Sequence, residues 1–216
     1  MQIIPAKTPK FIKSLFPNLI WSIESTQKEI YLTFDDGPTP EITDWVLNTL
    51  AEYDAKATFF CIGNNIEKHP DIFLRIIADG HSIGNHTFSH LKGWKQKTKT
   101  YIEDVEKTNQ LINSKVENHP SVGQNLFRPP YGKFKVKQSK KLQKLGYKII
   151  LWDVLSYDWD KTVSEDACLN NVITATKKGS IIVFHDSLKA SKNLRYVLPK
   201  VLAYFSEQGF KFRTLD

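Results

Sequence analysis

Cysteine is scarce: Cys61 and Cys168 are the only two in 216 residues. They lie far apart and outside any Cys-x-x-Cys pattern, which excludes a disulfide framework and a zinc knuckle. Both stand among apolar residues and read as small core side chains. No stretch approaches the ~18 consecutive apolar residues that a membrane span needs. The opening segment, MQIIPAKTPKFIKSLFPNLIWSI, lacks the features of a secretory leader: Lys10, Lys13 and prolines break its apolar run, and no small-residue cleavage site follows. The expectation is an arm over residues 1–28 packed on a domain of residues 29–216, and a cytoplasmic location. Repeats, linkers and low-complexity tracts are also missing, so one domain is the expected count. The excess of positive charge is mild. Thirty basic against 23 acidic residues leave a formal net charge of +7, and the lysines are spread. Their densest stretch, KFKVKQSKKLQK at 133–144, has the spacing of a solvated helix face. No nucleic-acid partner is expected, and the chain reads as a monomer.

What is present is alternation. Short β-rich runs occur at 29–34, 56–62, 81–84, 125–128, 147–154, 180–185 and 210–215. Between them lie segments of helical period such as EITDWVLNTLAEY and TYIEDVEKTNQLIN. Gly80, Gly146, Gly179 and Gly209 stand where helix C-caps would. Seven strands alternating with six helices predict a parallel α/β architecture, and the continuous apolar strands predict a sheet covered on both faces. A single-domain, seven-stranded α/β barrel is the first expectation, an open doubly wound sheet the second.

The polar residues choose one place. Asp35 and Asp36 follow the first strand in TFDDGP, His86 and His90 follow the third in GNHTFSH, and Arg128 ends the fourth in FRPPYG. Asp153 ends the fifth in LWDV, and His185 with Asp186 ends the sixth in IIVFHDS. These are strand C-terminal ends, the edge where α/β barrels carry their active sites. The His86/His90 spacing would aim both rings the same way if the segment made one helical turn, within reach of one metal ion. A carboxylate from the first strand completes a two-histidine, one-carboxylate set with open positions, which serves hydrolytic zinc and also non-haem iron. One aspartate would then be neutralised by the cation and the other left as a proton acceptor. Arg128 would hold that second aspartate, the rigid RPPYG stretch could fix the backbone N–H of Tyr131 as an oxyanion donor, and His185 suits a general acid. Trp94 either offers a stacking surface or simply packs.

TFDDGP, HTFSH, RPPYG and VFHD, in this order over residues 29–215, resemble the polysaccharide deacetylases of carbohydrate esterase family four, which include chitin deacetylases and peptidoglycan N-acetylglucosamine deacetylases. The resemblance implies a distorted (β/α)7 barrel and a hydrolase that removes N-acetyl groups from amino sugars in a polysaccharide or oligosaccharide. It implies a divalent metal, zinc first and cobalt or nickel as alternatives, held by Asp36, His86 and His90. Asp35 would be the catalytic base, Arg128 the residue that tunes it, and His185 the acid. Tyr131, Trp159 and Val183 would contact substrate, the latter two around the acetyl methyl.

The resemblance also places an aspartate, partner to the acidic histidine, where this chain has Leu155. Asp153 or Asp158 would have to substitute, or His185 would lack a carboxylate. The alternative functions are hydrolysis of an O-acetyl ester or another amide on the same barrel, and a weakly active or inactive glycan-binding homologue. An iron oxygenase is disfavoured because no cosubstrate motif accompanies the ligand set.

Overall fold

A computed structural model of the chain describes residues 5–116 and 125–215. Its strands are β1 (Glu29–Asp35), β2 (Ala57–Cys61), β3 (Ser82–Asn85), β4 (Leu126–Phe127), β5 (Lys148–Ile149), β6 (Val154–Leu155), β7 (Ile181–His185) and β8 (Lys211–Phe212). Its helices are α1 (Lys10–Leu15), α2 (Ile42–Ala51), α3 (Gly63–Lys68), α4 (Pro70–Ala78), α5 (Thr98–Val116), α6 (Val136–Lys144), α7 (Glu165–Ala175) and α8 (Ser191–Glu207). Seven strands run parallel in the order β5-β4-β3-β2-β1-β7-β6, and β8 pairs with the start of β1. The fold is a curled parallel half-barrel, the expected single-domain α/β architecture. The doubly wound alternative is set aside.

The curl follows from which residues occupy the two strand faces. Successive strand side chains point opposite ways. Ile30, Leu32 and Phe34 of β1 join Phe59 of β2 and Ile182 and Phe184 of β7 in the large core beneath the helices, where Phe34 stacks on Phe59 at 5.0 Å. Tyr31 of β1, Phe60 of β2 and Ile181 of β7 form a smaller core on the other, inner face. The inner face therefore carries Thr33 and Asp35 on β1 and Val183 and His185 on β7, and the register sets Asp35 beside His185.

The run 147–154 was expected as one strand and is two. Between β5 and β6 the backbone has other partners: Ile20 donates to Ile149 O and accepts from Leu151 N, while the Arg128 guanidinium donates to the carbonyls of Ile150 and Leu151. These bonds interrupt the strand ladder at 151–152, while Ile150 N–H still donates to Phe127 O and Asp153 N–H to Ile181 O. Residues 6–22 thus lie along the seam between the two sheet edges, with further bonds from Thr8 N to Asp153 O and from Leu155 N to Ala6 O. Lys7 and Lys13 both pair with the buried Asp153 carboxylate. Residues 1–4 of the expected arm, and 117–124 and 216 of the expected domain, lie outside the described residues. Cys61 and Cys168 are both free and buried, as small core side chains should be. No helix among the described residues is long and apolar enough to cross a membrane.

Candidate active site

At the C-terminal end of β1 the chain meets a geometric problem, since neighbouring strand residues face opposite sides. Asp36 resolves it by leaving the strand with φ 83°, a left-handed conformation that aspartate tolerates better than most residues. Both Asp35 and Asp36 then line one cavity of about 430 Å³. Gly37 continues the turn against a buried carboxylate. Its N–H donates to Asp186 Oδ1 at 3.0 Å, and a Cβ at position 37 would sit 1.9 Å from Asp186 Oδ2, so only glycine fits. Burial and the neighbouring Asp36 charge push the Asp186 carboxyl up to about 8, and Thr43 Oγ1 caps it at 2.5 Å. Asp186 is a scaffold for the turn, a role that its sequence position alone did not disclose.

His86 and His90 do not share a helical turn. The segment after β3 is a loop in which Thr87 has φ 66° and His90 φ 52°. Side chains hold this loop: Asn85 Oδ1 accepts from Thr87 N, and Asp104 Oδ2 accepts from the N–H groups of Phe88 and Ser89. The two rings nonetheless converge, with centroids 5.2 Å apart. Their Nε2 atoms lie 3.7 Å (His86) and 3.2 Å (His90) from Asp36 Oδ1, and one donor atom from each of the three residues falls within 4.8 Å of the others. His86 Nδ1 sits 2.7 Å from the carbonyl of Arg128, which leaves Nε2 as the ligand nitrogen. Burial lowers the His86 ring to about 4, so it stands neutral, as a metal ligand must. Burial opposes the charge on Asp36, but the His90 hydrogen bond and the nearby imidazoles hold its carboxyl far below the usual range. A donor set of two imidazoles and one carboxylate, facing a cavity, fits a divalent cation with open coordination positions.

Asp35 is 3% exposed and accepts from Arg128 Nη1 at 2.7 Å. Arg128 is fully buried. The same Nη1 lies 2.7 Å from Thr33 Oγ1, Nε and Nη2 reach the carbonyls of Ile150 and Leu151, and the guanidinium lies over the Phe60 ring. Every side of this buried cation is therefore satisfied.

Across the cavity, His185 Nδ1 lies 2.9 Å from Asp158 Oδ1, and its backbone N–H donates to Asp158 Oδ2 at 2.7 Å. Burial would lower this imidazole, but the Asp158 carboxylate outweighs it and raises the ring to about 9. Of the substitutes weighed for the aspartate absent at Leu155, Asp158 is the one in place, and Leu155 is part of the cavity wall. Asp158 carries the charge, brought round by Tyr157 at φ 66°. Asp153 is turned away, toward Lys7, Lys13 and Ser180.

Tyr131, Trp159 and Val183 all line the cavity. Tyr131, at φ 61°, packs on His90 with centroids 4.8 Å apart, and Trp94 meets it edge-on at 5.5 Å. Trp152, Lys133 and Lys189 also reach the cavity and were not anticipated. No periodic signal marks them, because the barrel rim is built from irregular loops.

The profile of the polysaccharide deacetylase family matches residues 22–150. Over 191 residues the chain is 37% identical to a peptidoglycan-N-acetylglucosamine deacetylase of Bacillus cereus, a match spanning 87% of this chain and 66% of that protein, just under two thirds of its length. It is 32% identical to a chitooligosaccharide deacetylase of Rhizobium leguminosarum bv. trifolii, covering 75% of this chain and 73% of that one. Among solved structures, the Bc1960 peptidoglycan N-acetylglucosamine deacetylase, in complex with 4-naphthalen-1-yl-N-oxidanyl-benzamide, superposes with a TM-score of 0.85 at 34% identity, over 96% of this chain and 95% of that one.

Proposed function

The chain belongs to the polysaccharide deacetylase family, carbohydrate esterase family four, and from that premise we propose that it hydrolyses the acetamide of N-acetylglucosamine units in a cell-wall polysaccharide. It is a hydrolase of non-peptide carbon–nitrogen bonds, as its relatives are. The observation that carries the residue roles is the arrangement of one cavity: an Arg128-held carboxylate, an Asp/His/His triad beside it, and an aspartate-backed histidine opposite.

The family is metal-dependent. Asp36, His86 and His90 would hold the divalent ion, zinc on the grounds of the donor set, with cobalt or nickel accepted by the same atoms. When bound, the ion supplies a Lewis acid that polarises the acetyl carbonyl and acidifies water. Asp35 takes the proton of the attacking water, and Arg128 keeps its carboxylate aimed into the cavity. The Tyr131 N–H donates to the oxygen on which negative charge develops. His185 gives its Nε2 proton to the leaving nitrogen while Asp158 stabilises the imidazolium. Val183, Leu155 and Trp159 enclose the methyl group. Acetate and a free amine leave.

Acetate release tests the reading. The purified protein is expected to free acetate from N-acetylglucosamine oligomers and from peptidoglycan, to lose this with a chelator, and to regain it with zinc. Faster release from O-acetylated xylan would favour the esterase reading instead. The pH profile tests the acid. His185 works protonated, so the rate falls as pH rises through its pKa. Asp158→Asn removes the group that raises that pKa, and the falling limb should move down by about one pH unit or more. A limb that stays in place would separate Asp158 from the acid.

A further inference from the structure

Two edges of the sheet stop short of one another, and the N-terminal arm stands between them. β5 ends one edge and β6 the other, and residues 6–22 bond to both. Ile20 bridges Ile150 in parallel, and Lys7 bridges Val154 antiparallel. Nearly all of this stave precedes the residues that the family profile matches, which begin at 22. Ion pairs clamp its first half. Lys7 and Lys13 both donate to the Asp153 carboxylate, which is 3% exposed and also accepts from Ser180 Oγ. Burial opposes the charge on Asp153, but the two lysines and Ser180 hold its carboxyl below the usual range.

The clamp lies behind a wall of the cavity. Trp152 and Leu155 both line that cavity, and Asp153 and Val154 stand between them in the chain. The arm holds the backbone of this wall at three points. Thr8 Oγ1 donates to Trp152 O at 2.9 Å, Thr8 N to Asp153 O at 2.8 Å, and Leu155 N to Ala6 O at 2.8 Å. Val183, which faces the same cavity, needs no such help, because β7 is paired with β1 on one side and β6 on the other. β6 is two residues long, with β7 along one edge and the arm along the other. So short a strand, paired on one edge alone, would open readily. Small displacements would matter, since the Trp152 indole is packed so closely on Gly132 that a Cβ there would fall 2.4 Å from it.

We propose that residues 6–13 are a positioning element that sets the size of the acyl pocket, by pinning the backbone that carries Trp152 and Leu155. The role is indirect, since no described residue of the arm lines the cavity. With the arm docked, the pocket is closed to the dimensions of a methyl group. With the arm loosened, the 152–155 wall relaxes outward and a longer acyl chain fits. The proposal rests on the deacetylase reading and adds to it a determinant of which amides are cut.

The test compares kcat/KM for acetate and propionate release from glucosamine oligomers of equal length, N-acetylated or N-propionylated. The intact protein should favour the acetyl form by roughly tenfold or more, the discrimination one methylene allows in an apolar pocket. Lys7→Met with Lys13→Met leaves Asp153 to Ser180 and frees the arm. The acetyl-to-propionyl ratio should then fall by roughly fivefold or more, because the propionyl rate rises while the acetyl rate drops. Thr8→Val, nearly the same shape, removes the bond to Trp152 O and should move the ratio the same way by less. Lys10→Met is the control: this lysine is exposed on α1 and has no carboxylate within ion-pair distance among the described residues. Melting curves accompany the rates, and if the double variant does not fold, Thr8→Val decides. A merely structural arm would lower both rates together and leave their ratio unchanged, which overturns the proposal. So does an intact protein that releases both acyl groups equally, or a ratio moved as far by Lys10→Met. Release of neither acid by the intact protein overturns the deacetylase reading, whereas release with an unmoved ratio overturns this proposal alone.

Discussion

Asp35→Asn should slow acetate release roughly a hundredfold or more, the range lost with a general base, while the protein still binds its metal. An amide of the same shape can accept from Arg128 but cannot take a proton from water. Asp36 and the two histidines keep their geometry because Asp35 is not one of the three converging donors. The exchange has a structural cost as well, since Arg128 is buried with no exposed surface and loses its charge partner. Breaking buried pairs costs about 3–5 kcal/mol, and the low end applies because Thr33 and two backbone carbonyls still accept from the guanidinium. Elemental analysis, a melting curve and single-turnover rates together check the result. Metal lost from Asp35→Asn and kept by Asp36→Asn would reverse the two roles.

His90→Ala should remove metal and activity together and leave the barrel standing. His90 sits on a loop with about a quarter of its side chain exposed, and its ring packs on the neighbouring site residues His86 and Tyr131. Little core is disturbed by deleting it. Loss of groups that merely orient a ligand already costs about 10–100-fold in affinity, so loss of a ligand should exceed about a hundredfold. The melting temperature should match that of the metal-free parent. Full metal occupancy in His90→Ala would remove this residue from the ligand set.

The barrel was legible because its strands are bounded by hydrophobic pattern and by turn residues. Gly80, Gly146, Gly179 and Gly209, read as helix ends, all take positive φ. The division at 147–154 was not legible, since it depends on Arg128 and Ile20, distant in sequence, occupying backbone groups there. The site shows the same split. Which side chains gather was visible from their recurrence at strand ends. How they turn to meet was not, because it depends on left-handed backbone at Asp36, Thr87, His90, Tyr131 and Tyr157, and none of these is a glycine that would mark the conformation in the sequence. Asp158 illustrates the consequence: the resemblance placed the histidine's aspartate at position 155 and left Asp153 and Asp158 open as substitutes, and the backbone at Tyr157, with φ 66°, accompanies the choice of Asp158.

Arg128 ties the site to the whole sheet and to no single part of it. Its guanidinium touches β1 and the segment between β5 and β6, its own N–H is bonded to Asn85 at the end of β3, and its carbonyl fixes the His86 ring. No local fragment contains those partners: they span residues 33 to 151 of the chain. A buried guanidinium without these partners would be a bare cation in an apolar interior, which is costly. The Asp35 carboxylate and the His86 ring are therefore held by one side chain whose partners come together only in the assembled barrel.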